Sequence, residues 1–186
     1  TLDQTGGGVL TLEGPNDLFD GIVFGEQSPR RWMAGSDYFR RTWADQSGWA
    51  QETTDNQTLA QIAIVYRGQQ ITLYSNGAMY AEYTMQSAPA GFGPDDTVLI
   101  GRRHVRAGTP ASFAGVVEDA RIYDRALTAE QIASLRADEP SDPRPWAWWT
   151  FEGDEAEDAM GTFPAGQLLG HTHIQDGQLI LDGADS

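Results

Sequence analysis

Short apolar runs, broken at intervals by glycine, proline, asparagine and aspartate, repeat along nearly the whole chain. That spacing belongs to strands joined by turns rather than to helices. Val9–Leu12 and Gly21–Gly25 predict the first two strands, with Gly14-Pro15-Asn16-Asp17 as a turn between them. Trp32–Gly35 and Tyr38–Phe39 follow between polar turns, and Leu59–Tyr66 has the strongest central-strand pattern. Gln70–Ser75 and Ala78–Met85 flank Asn76-Gly77. A type I′ turn needs positive φ at both central positions, which Asn and Gly tolerate, so these residues predict a hairpin. Thr97–Gly101 adds a strand, and Val116, Val117, Ala120, Ile122 and Tyr123 predict a buried one after it. Thr128 with Gln131 three residues on has a capping-box pattern, and Ile132 and Leu135 give the following turns an apolar face. The chain therefore reads as all-β with one short helix near residues 128–136.

From Asp138 the pattern changes. Pro140, Pro143 and Pro145 end the helix and read as an extended linker over residues 138–145. Beyond it lie an aromatic run, Trp146–Phe151, an acidic loop reaching Asp158-Ala-Met-Gly161, and a strand pair over His173–Gly183. About forty residues of strand cannot bury a sandwich core alone. Residues 146–186 therefore need the body, residues 1–137, or a neighbour.

The stretch Phe113–Leu135 resembles the closing signature of laminin-G-like domains of the concanavalin A superfamily. Trp146–Phe151, the Asp158-x-x-Gly161 turn and the His173–Gly183 hairpin resemble the opening of such a domain. Thr1–Leu10, Phe19–Glu26 and Arg31–Thr42 are similar to laminin-G-like modules of large planctomycete-type bacterial proteins, where they accompany domains such as family 32 glycoside hydrolases. The resemblance implies a concanavalin A-like jelly-roll sandwich of two antiparallel sheets, with its opening strands placed last. Three arrangements are open: 146–186 closes the body in cis as a permuted sandwich, completes a neighbouring chain, or begins a further repeat. Closure in cis, as a monomer, is the expectation, because an orphan segment carrying three tryptophans invites aggregation. The resemblance also implies a non-catalytic carbohydrate-binding or protein-interaction module of a larger extracellular or cell-envelope bacterial protein. A structural module assembling by strand donation and a glycoside hydrolase are the alternatives.

Charge narrows the partners. Twelve basic residues against 27 acidic ones give a net charge of −15, which disfavours nucleic acid and anionic membrane surfaces. No apolar run is long enough to insert in a membrane. The absence of cysteine removes disulfides, thiolate chemistry and cysteine zinc sites.

Three kinds of site are candidates. Glu152-Gly-Asp-Glu-Ala-Glu157 formally matches the acidic pattern of family 16 glycanases. Retaining hydrolysis there would need the carboxylates of Glu152 and Glu157 to face one cleft about 5 Å apart. Small and charged residues between them read instead as a solvated loop. Oxygen-rich clusters suit calcium; in many laminin-G-like domains an acid of the opening turn approaches one of the closing signature, which maps here onto Asp158 with Glu118 or Asp119. For carbohydrate, an aromatic platform with polar groups at its rim is needed. Trp32, Asp37 and Tyr38, with Arg102 and His104 from a strand end, offer both, in a region that also holds Trp43 and Trp49. His104, His171 and His173 lack the ligand set for zinc. Gly6-Gly7-Gly8 reads as a loop, and Asn56-Gln57-Thr58 matches a glycosylation acceptor by pattern alone.

Overall fold

The computed structural model describes residues 2–55, 57–89, 91–108 and 110–184; the asparagine of the 56–58 acceptor pattern lies outside them. The described elements are strands β1 (Gly7–Glu13), β2 (Phe19–Phe24), β3 (Trp32–Ser36), β4 (Ile62–Arg67), β5 (Gln70–Ser75), β6 (Ala78–Thr84), β7 (Thr97–Ile100), β8 (Ala114–Val117) and β9 (Ala120–Ile122), helix α1 (Ala129–Ser134), then β10 (Ala147–Trp149), β11 (His173–Gln175) and β12 (Gln178–Asp182). The fold is all-β, as the turn-punctuated pattern predicts. Hydrogen bonding divides the described strands into four antiparallel sheets rather than two continuous ones: β3-β2-β1-β7, β4-β5-β6, β11-β12-β8 and β10-β9.

Local chemistry accounts for much of this. Asn76 and Gly77 have φ of 50° and 77°, and they close the β5–β6 hairpin with Ser75 opposite Ala78. A Cβ on Gly77 would sit 3.0 Å from the Ala133 Cα, so the hairpin tip is also the seat of α1. Thr128 Oγ1 accepts from Gln131 N at 3.2 Å while Gln131 Oε1 accepts from Thr128 N at 2.9 Å. This reciprocal cap satisfies two of the donors that a helix start leaves free. Ile132 then packs with Leu127, Val65 and Tyr74.

Several expectations fail locally. Gly7 and Gly8 belong to β1 instead of a loop. Gly8 lies where a Cβ would fall 2.3 Å from the Arg103 Cα, so only glycine lets the two backbones pass. Tyr38–Phe39 is no strand but part of a 3-10 turn over Asp37–Phe39. The run expected between Val116 and Tyr123 breaks at Glu118-Asp119 into β8 and β9, and Val116 is exposed.

Residues 146–184 pair with the body at two places. Ala147, Trp148 and Trp149 lie opposite Ile122, Arg121 and Ala120, and Leu179–Asp182 lies opposite Val117–Ala114. One core cluster holds Val117 and Ala120 of the body together with Ala147, Trp149, Phe151, Ala156, Phe163, Leu179 and Leu181. Val9, Val98, Ile100 and Phe113 pack against it from the body, so the apolar faces of both segments are buried by one another.

Candidate functional site

The predicted carbohydrate set separates. Trp32 is buried, its ring 4.6 Å from that of Phe24 and its Nε1 donating to Glu52 Oε2 at 2.8 Å. All five positions of β3 are buried, so no face of that strand is free to offer a platform. Burial works against ionisation of Glu52, but hydrogen bonds from Thr54, Trp32 and Thr53 outweigh it and hold its carboxyl below the ordinary range.

Asp37 is buried in an ion cluster. Arg41, 2% exposed, donates from Nε to Asp20 Oδ1 at 2.6 Å and from Nη2 to Asp37 Oδ1 at 2.5 Å. The same Nη2 reaches the Phe19 carbonyl at 3.0 Å, and Arg41 N donates to Ser36 Oγ at 2.9 Å. Arg40 Nη1 approaches the other Asp37 oxygen at 3.3 Å. Charge-assisted bonds of this kind are strong, and a buried guanidinium without its carboxylates is costly. They staple the segment after β3 to the start of β2.

That staple presents aromatics outward. Tyr38 is 84% exposed, Phe39 44% and Trp43 40%. Tyr38 and Phe39 hold φ of 50° and 56°, a left-handed backbone costing of order 1 kcal/mol at each non-glycine residue. The Arg40 guanidinium lies 5.6 Å from the Tyr38 ring centre. Behind them the loop rests on β6: Trp43 is 5.6 Å from Tyr83, Trp49 stacks on Tyr83 at 5.9 Å, and the Tyr83 hydroxyl donates to the Arg41 carbonyl at 3.0 Å. Burial pushes the Tyr83 hydroxyl far up, which keeps it neutral and donating. Phe39 escapes the sequence reading, although aromatics without strand or helix period in a turn-rich stretch are the signal that finds it.

His104 reaches the same region from the segment after β7. Its ring stacks on Phe19 at 4.8 Å, and its Nδ1 is buried without a hydrogen-bond partner. Burial, reinforced by Arg103, holds its pKa below the ordinary value, against the pull of Glu13 and Asp17. Arg102 is spent locally, its Nε donating to the His104 carbonyl at 3.3 Å. Thus Asp37 and His104 meet the start of β2 as supports, and Tyr38 alone of the predicted set stands open.

The calcium candidates are engaged elsewhere. Asp158 Oδ1 accepts from Trp148 N at 2.8 Å and Met160 N at 2.9 Å; Oδ2 accepts from Thr162 N at 2.8 Å and Phe163 N at 2.9 Å. Asp119 Oδ2 takes Arg121 Nη2 at 2.7 Å, Trp148 Nε1 at 2.8 Å and Asp138 N at 3.0 Å. Glu118 Oε2 accepts from Gln178 Nε2 at 3.0 Å. The two aspartates converge on Trp148, and a carboxylate already holding four N–H donors is a poor fit to a cation. Among the described residues no group of three or more His, Asp or Glu is arranged to hold a metal.

Glu152 and Glu157 lie beyond the end of β10 on an exposed loop, so no strand alternation aims them at a common cleft. Two small clefts, of about 300 Å³ beside Glu26 and Arg103 and about 290 Å³ beside Glu13 and Asp96, fall at the low end for ligand cavities. Neither touches the exposed aromatics. No helix among the described residues is long and apolar enough to cross a membrane.

Comparison with known proteins adds a family. No curated protein matches the chain. A crystal structure of an S-layer domain-containing protein (residues 221–444) from Clostridium thermocellum ATCC 27405 is 22% identical, with a TM-score of 0.39. The match covers 73% of this chain and 65% of that one. The laminin G model described as the concanavalin A-like lectin/glucanases superfamily matches residues 10–133. With more than half of its length matched, its described sheets antiparallel and helix α1 capped at Thr128 inside the matched region, the chain belongs to the concanavalin A-like lectin/glucanases superfamily.

Proposed function

We propose that the chain is a non-catalytic recognition module that binds neutral polysaccharide through Tyr38, Phe39 and Trp43, outside the cell or in its envelope. One observation carries this reading: three aromatic side chains stay exposed on a loop whose backbone is fixed by the buried Arg41 cluster. Exposed aromatic rings stack on the apolar faces of sugar rings, and a platform fixed before binding loses little conformational entropy on contact. The net charge of −15 disfavours anionic glycans.

The test is retention of the intact chain in native gels cast with soluble neutral polysaccharides, beside gels holding anionic ones. Retardation by a neutral polymer that persists at high salt supports the reading. Retardation only by anionic polymers, or by none of a broad set, overturns it.

A further inference from the structure

The tie between residues 146–184 and the body has the character of a docking site with a reader for tryptophan. Trp148 pairs in register with Arg121, whose guanidinium lies 4.6 Å from the indole centre. Its Nε1 donates to Asp119 of the body, while its backbone N is held within its own segment by Asp158. Leu181 fills the space above Gly101, where a Cβ would meet its Cδ2 at 2.6 Å. The contacts that bury Trp149, Leu179 and Leu181 therefore run between the two segments. They are independent of which chain supplies the second segment.

The connection between the segments is stiff and costly. It carries Pro140, Pro143 and Pro145, which favour extension over folding back. At its start Asp138 has φ of 58°, and its Oδ1 is buried without a hydrogen-bond partner. Burial, then the neighbouring charges of Asp119, Glu152 and Glu118, push its carboxyl above the ordinary range, against the opposing pull of Arg121. Closing the chain on itself thus holds a buried carboxylate oxygen without a hydrogen-bond partner at the hinge.

We propose that the β8–β9 face accepts the 146–184 segment of a second copy of this chain, so that neighbouring molecules exchange closing strands about a hinge at 138–145. Exchange recreates every body-to-tail contact and alters only the hinge. It opens Asp138 to water, which removes the cost of its ionised form.

The chain has no cysteine, so a pair placed at register partners reports the closure directly. Ile122→Cys with Ala147→Cys, oxidised over a concentration series, will give a cross-linked species of twice 20.3 kDa whose share rises with concentration. A cross-link confined to single chains at every concentration overturns the proposal. Should the pair fail to fold, unmodified chains carrying two different tags, incubated together at high concentration, serve instead. Co-purification of both tags supports exchange, and its complete absence overturns it.

Asp138→Asn supplies the sign. A carboxyl whose folded pKa is raised destabilises the closed form above that pKa and has no effect below the unfolded value, where both states are protonated. The variant will therefore raise the melting temperature of the closed monomer near neutral pH and lower the exchanged share there, with both effects vanishing in acid. An equal effect at both pH values contradicts this role for the hinge.

Discussion

Arg41 is the side chain on which the exposed aromatics depend. It neutralises two buried carboxylates from different elements, Asp20 in β2 and Asp37 in the turn after β3. Arg41→Met will remove the guanidinium shared by both, leaving Asp37 with the more exposed Arg40, and lower stability by about 3–5 kcal/mol in urea unfolding, the cost of breaking a buried pair from one side. A loss below about 1 kcal/mol, the range of exposed pairs, would show that the cluster is solvated. Asp158 makes a parallel case with neutral donors. Asp158→Ala will orphan the four N–H groups now pointed at its carboxylate, at a cost of at least about 3 kcal/mol, while chelation by EDTA will leave the melting temperature of the unaltered chain unchanged. A drop on chelation that added calcium restores would return these acids to metal binding. Such roles are poorly legible in sequence: Asp37 and Asp158 stand out as polar, but Asp20 lies far from Arg41 along the chain, and spacing does not report which partners meet. Trp32 misleads for a related reason, since aromatic character alone does not tell a platform from a core residue when both faces of its strand are covered.

Among the elements, those with local causes were the most readable. The β5–β6 hairpin follows from Asn76-Gly77 and the helix from Thr128 with Gln131, because turn conformation and capping are decided within a few residues. Thr128→Ala will cost about 1 kcal/mol in thermal or urea unfolding, and an unchanged stability would mean that Ile132 and Leu127 hold α1 without its cap. Elements whose limits depend on neighbours were less readable. Leu59 continues the apolar run into β4 but is 51% exposed, as the strand begins only at Ile62, where β5 offers partners. The break at Glu118-Asp119 follows from two different partners, β12 for β8 and β10 for β9. Tyr38 and Phe39 suit a strand by propensity, and the ion cluster beside them overrides it with a left-handed turn.

For the whole molecule, the all-β class and the aromatic, apolar character of residues 146–184 were visible in the pattern, whereas the division into four hydrogen-bonded sheets arises from long-range pairing that no local signal encodes. The recognition surface emerges at this scale too, because Tyr38, Phe39 and Trp43 are exposed only once Arg41 and Tyr83 have fixed the loop behind them. The most direct measurement is the dissociation constant for a neutral polysaccharide that retards the chain, compared between the unaltered protein, Tyr38→Ala and Trp43→Ala, with melting temperatures recorded alongside. Each variant will bind about threefold to tenfold more weakly, the worth of one stacked aromatic; the melting temperature will stay nearly unchanged for Tyr38→Ala and fall for Trp43→Ala, whose ring also packs on Tyr83. Unaltered affinity in both variants would contradict the assignment of the aromatic loop as the binding surface.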